Sequence, residues 1–287
     1  DYIKVDGVRL FYREEGNGTP LIFLHGGPGS NHDHFLPYLA PLSKSRKLIL
    51  YDQRGCGRSD RFEDVSQYSS EHFVKELRGL IRAFGFKRVD LLGHSWGGIL
   101  AQKYALRHQN TIRKLILCCT TSNMPEPDKS FQEVFKSAPL AEKKLILQYM
   151  KKKFITRGQP YPGEYLEAVD RIYMGKRPIR SKTLHYTNMI FTGFSWPVYH
   201  YLMGGGRFEF KIDGDLHDFD SRKYLDQINV PTLVAAGKFD GFSLDIAYGM
   251  NSLIPNSKII LFDRSGHWPF VEENDKFIKI TENFLSK

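Results

Sequence analysis

The sequence predicts an α/β protein built on a mainly parallel sheet, and three observations predict it. Largely apolar runs of strand length recur at residues 21–24, 48–51, 89–92 and 114–119. Stretches with apolar positions three or four apart are interleaved with the later runs, giving the order strand, strand, helix, strand, helix, strand. The pattern stops near Asn123 and resumes at Pro231, so a segment without clear buried strands is inserted between two strands of one sheet.

The elements follow in chain order. Residues 2–14 alternate around Val5-Asp6-Gly7-Val8, a hairpin signal. The strand at 21–24 runs into His25-Gly26-Gly27-Pro28-Gly29. A loop so rich in glycine exposes backbone N–H groups and can aim them at a neighbouring reaction centre; its Gly27–Pro28 bond is a candidate cis peptide. The strand at 48–51 leads into Asp52-Gln53-Arg54-Gly55-Cys56-Gly57-Arg58-Ser59, read as a structural turn in which Asp52 and Arg54 tie down loop backbone. Ser70 is expected to cap a helix with apolar positions at Phe73, Leu77, Leu80, Ile81 and Phe84, ended by Gly85. Helical patterns follow at 98–108, 140–154 and 163–174, and Pro160, Pro162, Pro178 and Pro197 are expected to break up the inserted segment. Residues 232–236 and 259–262 read as the last strands, and 275–285 as a closing helix.

The chain turns on residues 89–99. A buried strand passes into a helix through Gly93-His94-Ser95-Trp96-Gly97. So tight a turn forces its apex into a strained backbone conformation, and flanking side chains would clash. Gly93 and Gly97 supply the space, and Ser95 is lifted to a helix N-terminus, where negative charge is favoured. A nucleophilic serine requires a base and an acid to orient it. The strand at 232–236 is followed by Gly237-Lys238-Phe239-Asp240, and the strand at 259–262 by Asp263-Arg264-Ser265-Gly266-His267. The chain order Ser95, Asp240, His267 is the order this architecture expects. His267 would accept the Ser95 proton and Asp240 would fix its tautomer. His94, beside the nucleophile, reads as a supporting residue.

Composition narrows the functional classes. Hydrophobic residues make up 41% and charged residues 25% of 287 residues, ordinary for a globular chain. No apolar run approaches a membrane span and no signal-like segment opens the sequence, so no membrane association and a cytoplasmic location are expected. Three cysteines, Cys56, Cys118 and Cys119, are too few and too badly spaced for a disulfide framework, and no cluster has metal-ligand spacing. The net charge of +9 is uneven: residues 136–182 hold 12 Lys/Arg against 4 Asp/Glu. Without a nucleic-acid module that excess reads as a solvated helical face, and no nucleic-acid partner is expected.

The blocks at 25–29, 52–59 and 93–98 resemble the proline iminopeptidase (prolyl aminopeptidase) family of α/β-hydrolases, over nearly the full length. The resemblance implies an α/β-hydrolase fold: a mainly parallel eight-stranded sheet flanked by helices, with a core of residues 1–123 and 226–287 and a helical cap of 124–225 over the strand ends. It implies a cofactor-free serine hydrolase, without a metal, releasing an N-terminal residue, typically proline, from small peptides. The implied oxyanion donors are the N–H groups of Gly27 and Trp96. Of the aromatic residues in the cap, only some of Phe194, Trp196, Tyr199 and Phe208 are expected to face the substrate. Family members hold the substrate amino group with carboxylates, at least one from the cap, and the loosely aligned match here is Glu209. Some place a Glu directly after the triad Asp, where this chain has Gly241. A carboxylesterase or lactonase would use the same triad without an ammonium anchor. A non-catalytic relative would usually have lost a triad member, and an epoxide hydrolase or dehalogenase would need Asp at position 95.

Overall fold

The structure is a computed structural model that describes residues 1–151, 163–165, 167–168, 193–204 and 212–287. Its centre is one eight-stranded sheet in the order β1-β2-β4-β3-β5-β6-β7-β8. Strands β1 (Tyr2–Val5) and β2 (Val8–Glu15) form the expected hairpin, turning at Asp6 and Gly7 with positive φ at both. β2 pairs antiparallel with β4 (Lys47–Tyr51). From there the sheet is parallel: β3 (Pro20–Leu24), β5 (Val89–His94), β6 (Ile112–Cys118), β7 (Thr232–Gly237) and β8 (Ser257–Phe262). The inner strands β5 and β7 are buried at every position, because helices cover both faces and a doubly covered strand has no polar side to show.

Helix α1 (Ser70–Ala83) buries Phe73, Leu77, Leu80 and Ile81 on one face. Each such side chain removed from water contributes about 1.5–3 kcal/mol. Its N-cap position is Ser69, one residue before the expected cap, and Gly85 (φ +70°) follows its C-cap, Phe84. Helix α2 (Trp96–His108) begins two residues earlier than its apolar pattern suggested, directly after Ser95.

Between β6 and β7 the described residues contain helices α3 (Pro125–Ser137), α4 (Leu140–Lys151) and α5 (Trp196–Met203) and no strand longer than the single bridge Asn123–Asp220. The expected helix 140–154 is present as far as Lys151, and most of the expected 163–174 helix lies outside the described residues. Pro197, expected as a breaker, instead stands in the first turn of α5. A proline there loses nothing, since that turn's N–H groups have no intrahelical acceptor. Helix α6 (Leu244–Leu253), which the sequence pattern did not single out, follows β7. Helices α7 (Pro269–Glu272) and α8 (Asn274–Ser286) close the chain. Among the described residues no helix is long and apolar enough to cross a membrane.

Candidate active site

The turn between β5 and α2 has the geometry that its glycines imply. Ser95 sits at φ 56°, ψ −122°, a conformation that L residues rarely adopt. A Cβ on Gly93 would lie 2.3 Å from the Gly97 carbonyl oxygen, and one on Gly97 would lie 1.9 Å from that of Leu24. Any larger residue at either position would open the turn. Neighbouring strand ends hold the apex: the Ser95 N–H donates to the Cys118 carbonyl at 3.0 Å, and Thr120 Oγ1 donates to the Ser95 carbonyl at 2.7 Å. The Ser95 hydroxyl hydrogen-bonds to no described residue, His267 included.

His267 and Asp240 come together from the ends of β8 and β7. His267 Nδ1 lies 2.8 Å from Asp240 Oδ1, the histidine partly exposed and the carboxylate buried. The loop after β7 approaches closely because Gly237 has no side chain; a Cβ there would lie 1.9 Å from the Gly266 carbonyl oxygen. Asp240 Oδ1 also accepts the Phe242 N–H at 3.2 Å, and the Phe242 ring meets the His267 ring edge-on at 5.4 Å. The His267 loop is held from α7: Glu272 Oε2 accepts the N–H of Gly266 at 2.7 Å and that of Trp268 at 3.3 Å. On the other side the His267 ring packs on His94, the residue before Ser95, with ring centroids 4.7 Å apart.

The glycine-rich loop at 25–29 lies against this turn. A Cβ on Gly26 would stand 3.1 Å from the Ser95 Cβ. The Gly27–Pro28 bond is cis, as is Leu36–Pro37. The backbone N–H groups of Gly27 and Trp96 donate to no acceptor among the described residues. Gln53, to which the sequence reading gave no role, joins the glycine-rich loop to the serine turn. Its side-chain amide donates to the His25 carbonyl at 3.0 Å, and its Oε1 accepts the Trp96 indole N–H at 2.8 Å. Its backbone N–H donates to His25 Nε2 at 3.2 Å. Burial lowers His25 from 6.5 to about 4, which keeps that nitrogen free to accept.

Asp52 and Arg54 tie down backbone as expected. Asp52 accepts the backbone N–H of His32 at 2.7 Å and that of Arg58 at 2.8 Å. Arg54 Nε donates to the fully buried Glu76 at 3.0 Å and its guanidinium reaches the Gln67 carbonyl. Burial pushes the Glu76 carboxyl up to about 7 against the pull of Arg54.

Segment 193–204 comes down onto the glycine-rich loop. The Ser195 N–H donates to the Gly29 carbonyl at 2.7 Å, and Phe194 lies over Gly27 and Gly29, where added Cβ atoms would meet its ring at 3.3 and 3.1 Å. Trp196 and Tyr199 pack on Phe194. Phe208, Glu209 and much of the basic 136–182 stretch lie outside the described residues.

Fold contributes one grouping that linear spacing hid: His94, Cys119 and His267 present potential ligand atoms within 4.8 Å of one another. Both ring nitrogens of His94 are already hydrogen-bonded, Nδ1 to His34 and Nε2 to the His267 carbonyl. The group therefore offers a metal no free His94 lone pair.

Comparisons with known proteins agree with this fold. The family model described as alpha/beta hydrolase fold matches residues 19–168. Two solved structures share the fold at 24% identity. VinJ has a TM-score of 0.86 and the proline iminopeptidase of Mycobacterium smegmatis one of 0.81; each alignment covers 100% of this chain and 97% of the other. The proline iminopeptidase of Saccharolobus solfataricus is 33% identical over 291 residues, 100% of this chain and 92% of that one. Likeness of that extent spans the sheet, the serine turn and the helices between β6 and β7 alike, and with it the chain belongs to the proline iminopeptidase family of α/β-hydrolases and is a hydrolase.

Proposed function

We propose that this chain is a serine peptidase that releases an N-terminal residue, preferably proline, from small peptides through an acyl-enzyme. The observation that carries the chemistry is the 2.8 Å contact between His267 and Asp240 beside a serine held at φ 56°. Ser95 Oγ attacks the carbonyl carbon of the first peptide bond while His267 Nε2 takes its proton. Asp240 keeps the His267 proton on Nδ1 and stabilises the imidazolium. The oxyanion forms against the N–H groups of Gly27 and Trp96 at the start of α2. His267 then protonates the leaving amine, and water, deprotonated by the same ring, frees the acyl group from Ser95.

Preference for a free N-terminus rests on the family likeness. Residues 124–225 act as a helical cap, Phe194 closes one side over the glycine-rich loop, and Glu209 pairs with the substrate ammonium. An unpaired ammonium in a partly desolvated site is costly. Gly241 removes the second carboxylate that some relatives place after the triad Asp, so discrimination for the amine is weaker than in those relatives. The deciding experiment assays Glu209→Gln and the wild type in parallel on proline p-nitroanilide and p-nitrophenyl acetate. The expected result is a selective loss on the anilide, on the order of 100-fold or more for an abandoned buried charge, with ester hydrolysis unchanged. A wild type that cleaves only the ester would replace this reading with a carboxylesterase or lactonase.

A further inference from the structure

Behind the serine turn runs a row of hydrogen-bonded groups that the reaction above does not use. His94 Nε2 lies 2.6 Å from the His267 carbonyl oxygen, His94 Nδ1 lies 2.8 Å from His34 Nε2, and His34 Nδ1 lies 3.1 Å from Ser30 Oγ. Ser30, His34 and His94 are all buried. They come from three places in the chain: the residue directly after the glycine-rich loop, the short 3-10 turn His32–Phe35, and the end of β5.

The carbonyl at one end and the neutrality of both rings together fix the protons in the row. A carbonyl only accepts, so His94 Nε2 carries a hydrogen. Neutral His94 then has a bare Nδ1, which accepts from His34 Nε2–H. Neutral His34 has a bare Nδ1 in turn, which accepts from the Ser30 hydroxyl. With both imidazoles uncharged, this is the one proton arrangement that satisfies all three contacts. Phe35 and Phe270 pack on His34, and Phe270 meets the His94 ring edge-on at 5.1 Å. The titratable groups that face the pair are His25 and His267 towards His34, and His267 and Asp240 towards His94. Burial, with the neighbouring imidazoles, holds both rings well below the ordinary histidine range, and Asp240 opposes this only in part.

We propose that His94, backed by His34 and Ser30, is a positioning residue that sets the backbone of His267 at a fixed place relative to Ser95. His94 is joined to Ser95 by one peptide bond, so whatever it holds is referenced directly to the nucleophile. Asp240 anchors the His267 ring, Glu272 anchors the N–H groups of the residues on either side, and His94 anchors the His267 carbonyl. The same imidazole also supports the glycine-rich loop, since a Cβ on Gly26 would stand 3.1 Å from His94 Nδ1. One side chain thus aligns the base, the serine and the loop carrying Gly27.

The inference rests on His267 acting as the base, and the test separates the two claims. His94→Leu fills the space and removes the row, whereas His94→Gln keeps a donor for the His267 carbonyl and an acceptor for His34. On p-nitrophenyl acetate, His94→Leu should lose about 100-fold in kcat, the cost of a small misplacement of a catalytic group, with KM little changed. His94→Gln should recover most of the lost kcat. Folded His94→Leu with wild-type kcat, or His94→Gln as impaired as His94→Leu, overturns the proposal. His267→Ala serves as the control: if it retains activity, the base assignment fails instead. Should His94→Leu not fold, nitrogen-15 spectra of the wild type decide. Both His34 and His94 should appear as neutral Nε2–H tautomers from pH 5 to 8, and a protonated ring or the opposite tautomer in either overturns the proposal.

Discussion

His267 Nδ1 lies 2.8 Å from Asp240 Oδ1, and the two residues reach one another from separate strands of the sheet. Replacing Asp240 by Asn would present an N–H where the histidine proton now points and stabilise the wrong tautomer. Steady-state rates of Asp240→Asn on a p-nitrophenyl ester should fall about 10⁴-fold, with thermal unfolding near that of the wild type. A rate within tenfold of wild type would remove Asp240 from the mechanism.

Ser95 combines a proposed chemical role with a strained backbone, and two substitutions separate them. Ser95→Ala and Ser95→Gly should both lose about 10⁶-fold in kcat. They should differ in stability, because glycine adopts φ 56° without the penalty that alanine shares with serine. Denaturant titration should find Ser95→Gly more stable than Ser95→Ala by about 1–3 kcal/mol. Equal stabilities would mean that the turn carries no strain.

Acid should destabilise the fold between pH 7 and 4.5. Histidines 25, 34 and 94 are buried and neutral, each with its folded value below 6.5. Their contribution is fully present above pH 6.5 and is lost as pH falls; for His25 the loss is complete below about 4. At about 1.4 kcal/mol per pH unit, His25 alone accounts for about 3 kcal/mol of that loss. Glu76 acts in the opposite direction: held up near 7, its contribution is fully present below 4.5 and lost as pH rises through about 7. Asp90, also raised by burial, acts in the same direction as Glu76; the three imidazoles outnumber the two carboxyls and leave a net fall in stability from pH 7 to 4.5, measured by urea unfolding across that range. Constant or rising stability towards pH 4.5 would show that the three rings do not remain neutral.

Much of the fold was legible because its signals are local. The β1–β2 turn, the six largely apolar parallel strands read from the sequence and the face of α1 each depend on residues within a few positions of one another. Pro197 was misread because a proline ends one helix and begins another with the same residue, and only the position of Ser195 against Gly29 shows which. Helix α6 carries too weak a one-sided pattern to stand out after the Gly-rich turn that precedes it. Gln53 lies in a block that carries the family resemblance, but a lone glutamine in a loop has no characteristic spacing from which its bridge to Trp96 could be read.

By itself the sequence determined the turn at Ser95, with glycines where a Cβ would meet backbone within 2.3 Å. It also determined the strand-end locations of Asp240 and His267, through contiguous strand–glycine–loop patterns. Only the tertiary structure decided the sheet order, the bridge from Gln53 to Trp96, the grip of Glu272 on the His267 loop and the row Ser30–His34–His94–His267. Those bonds join residues from 4 to 173 positions apart. The longer ones exist because parallel strand register and crossover helices bring several loop ends to one edge of the sheet. Local propensity dictates which residues form a strand; it does not dictate which loop will stand beside that strand's end.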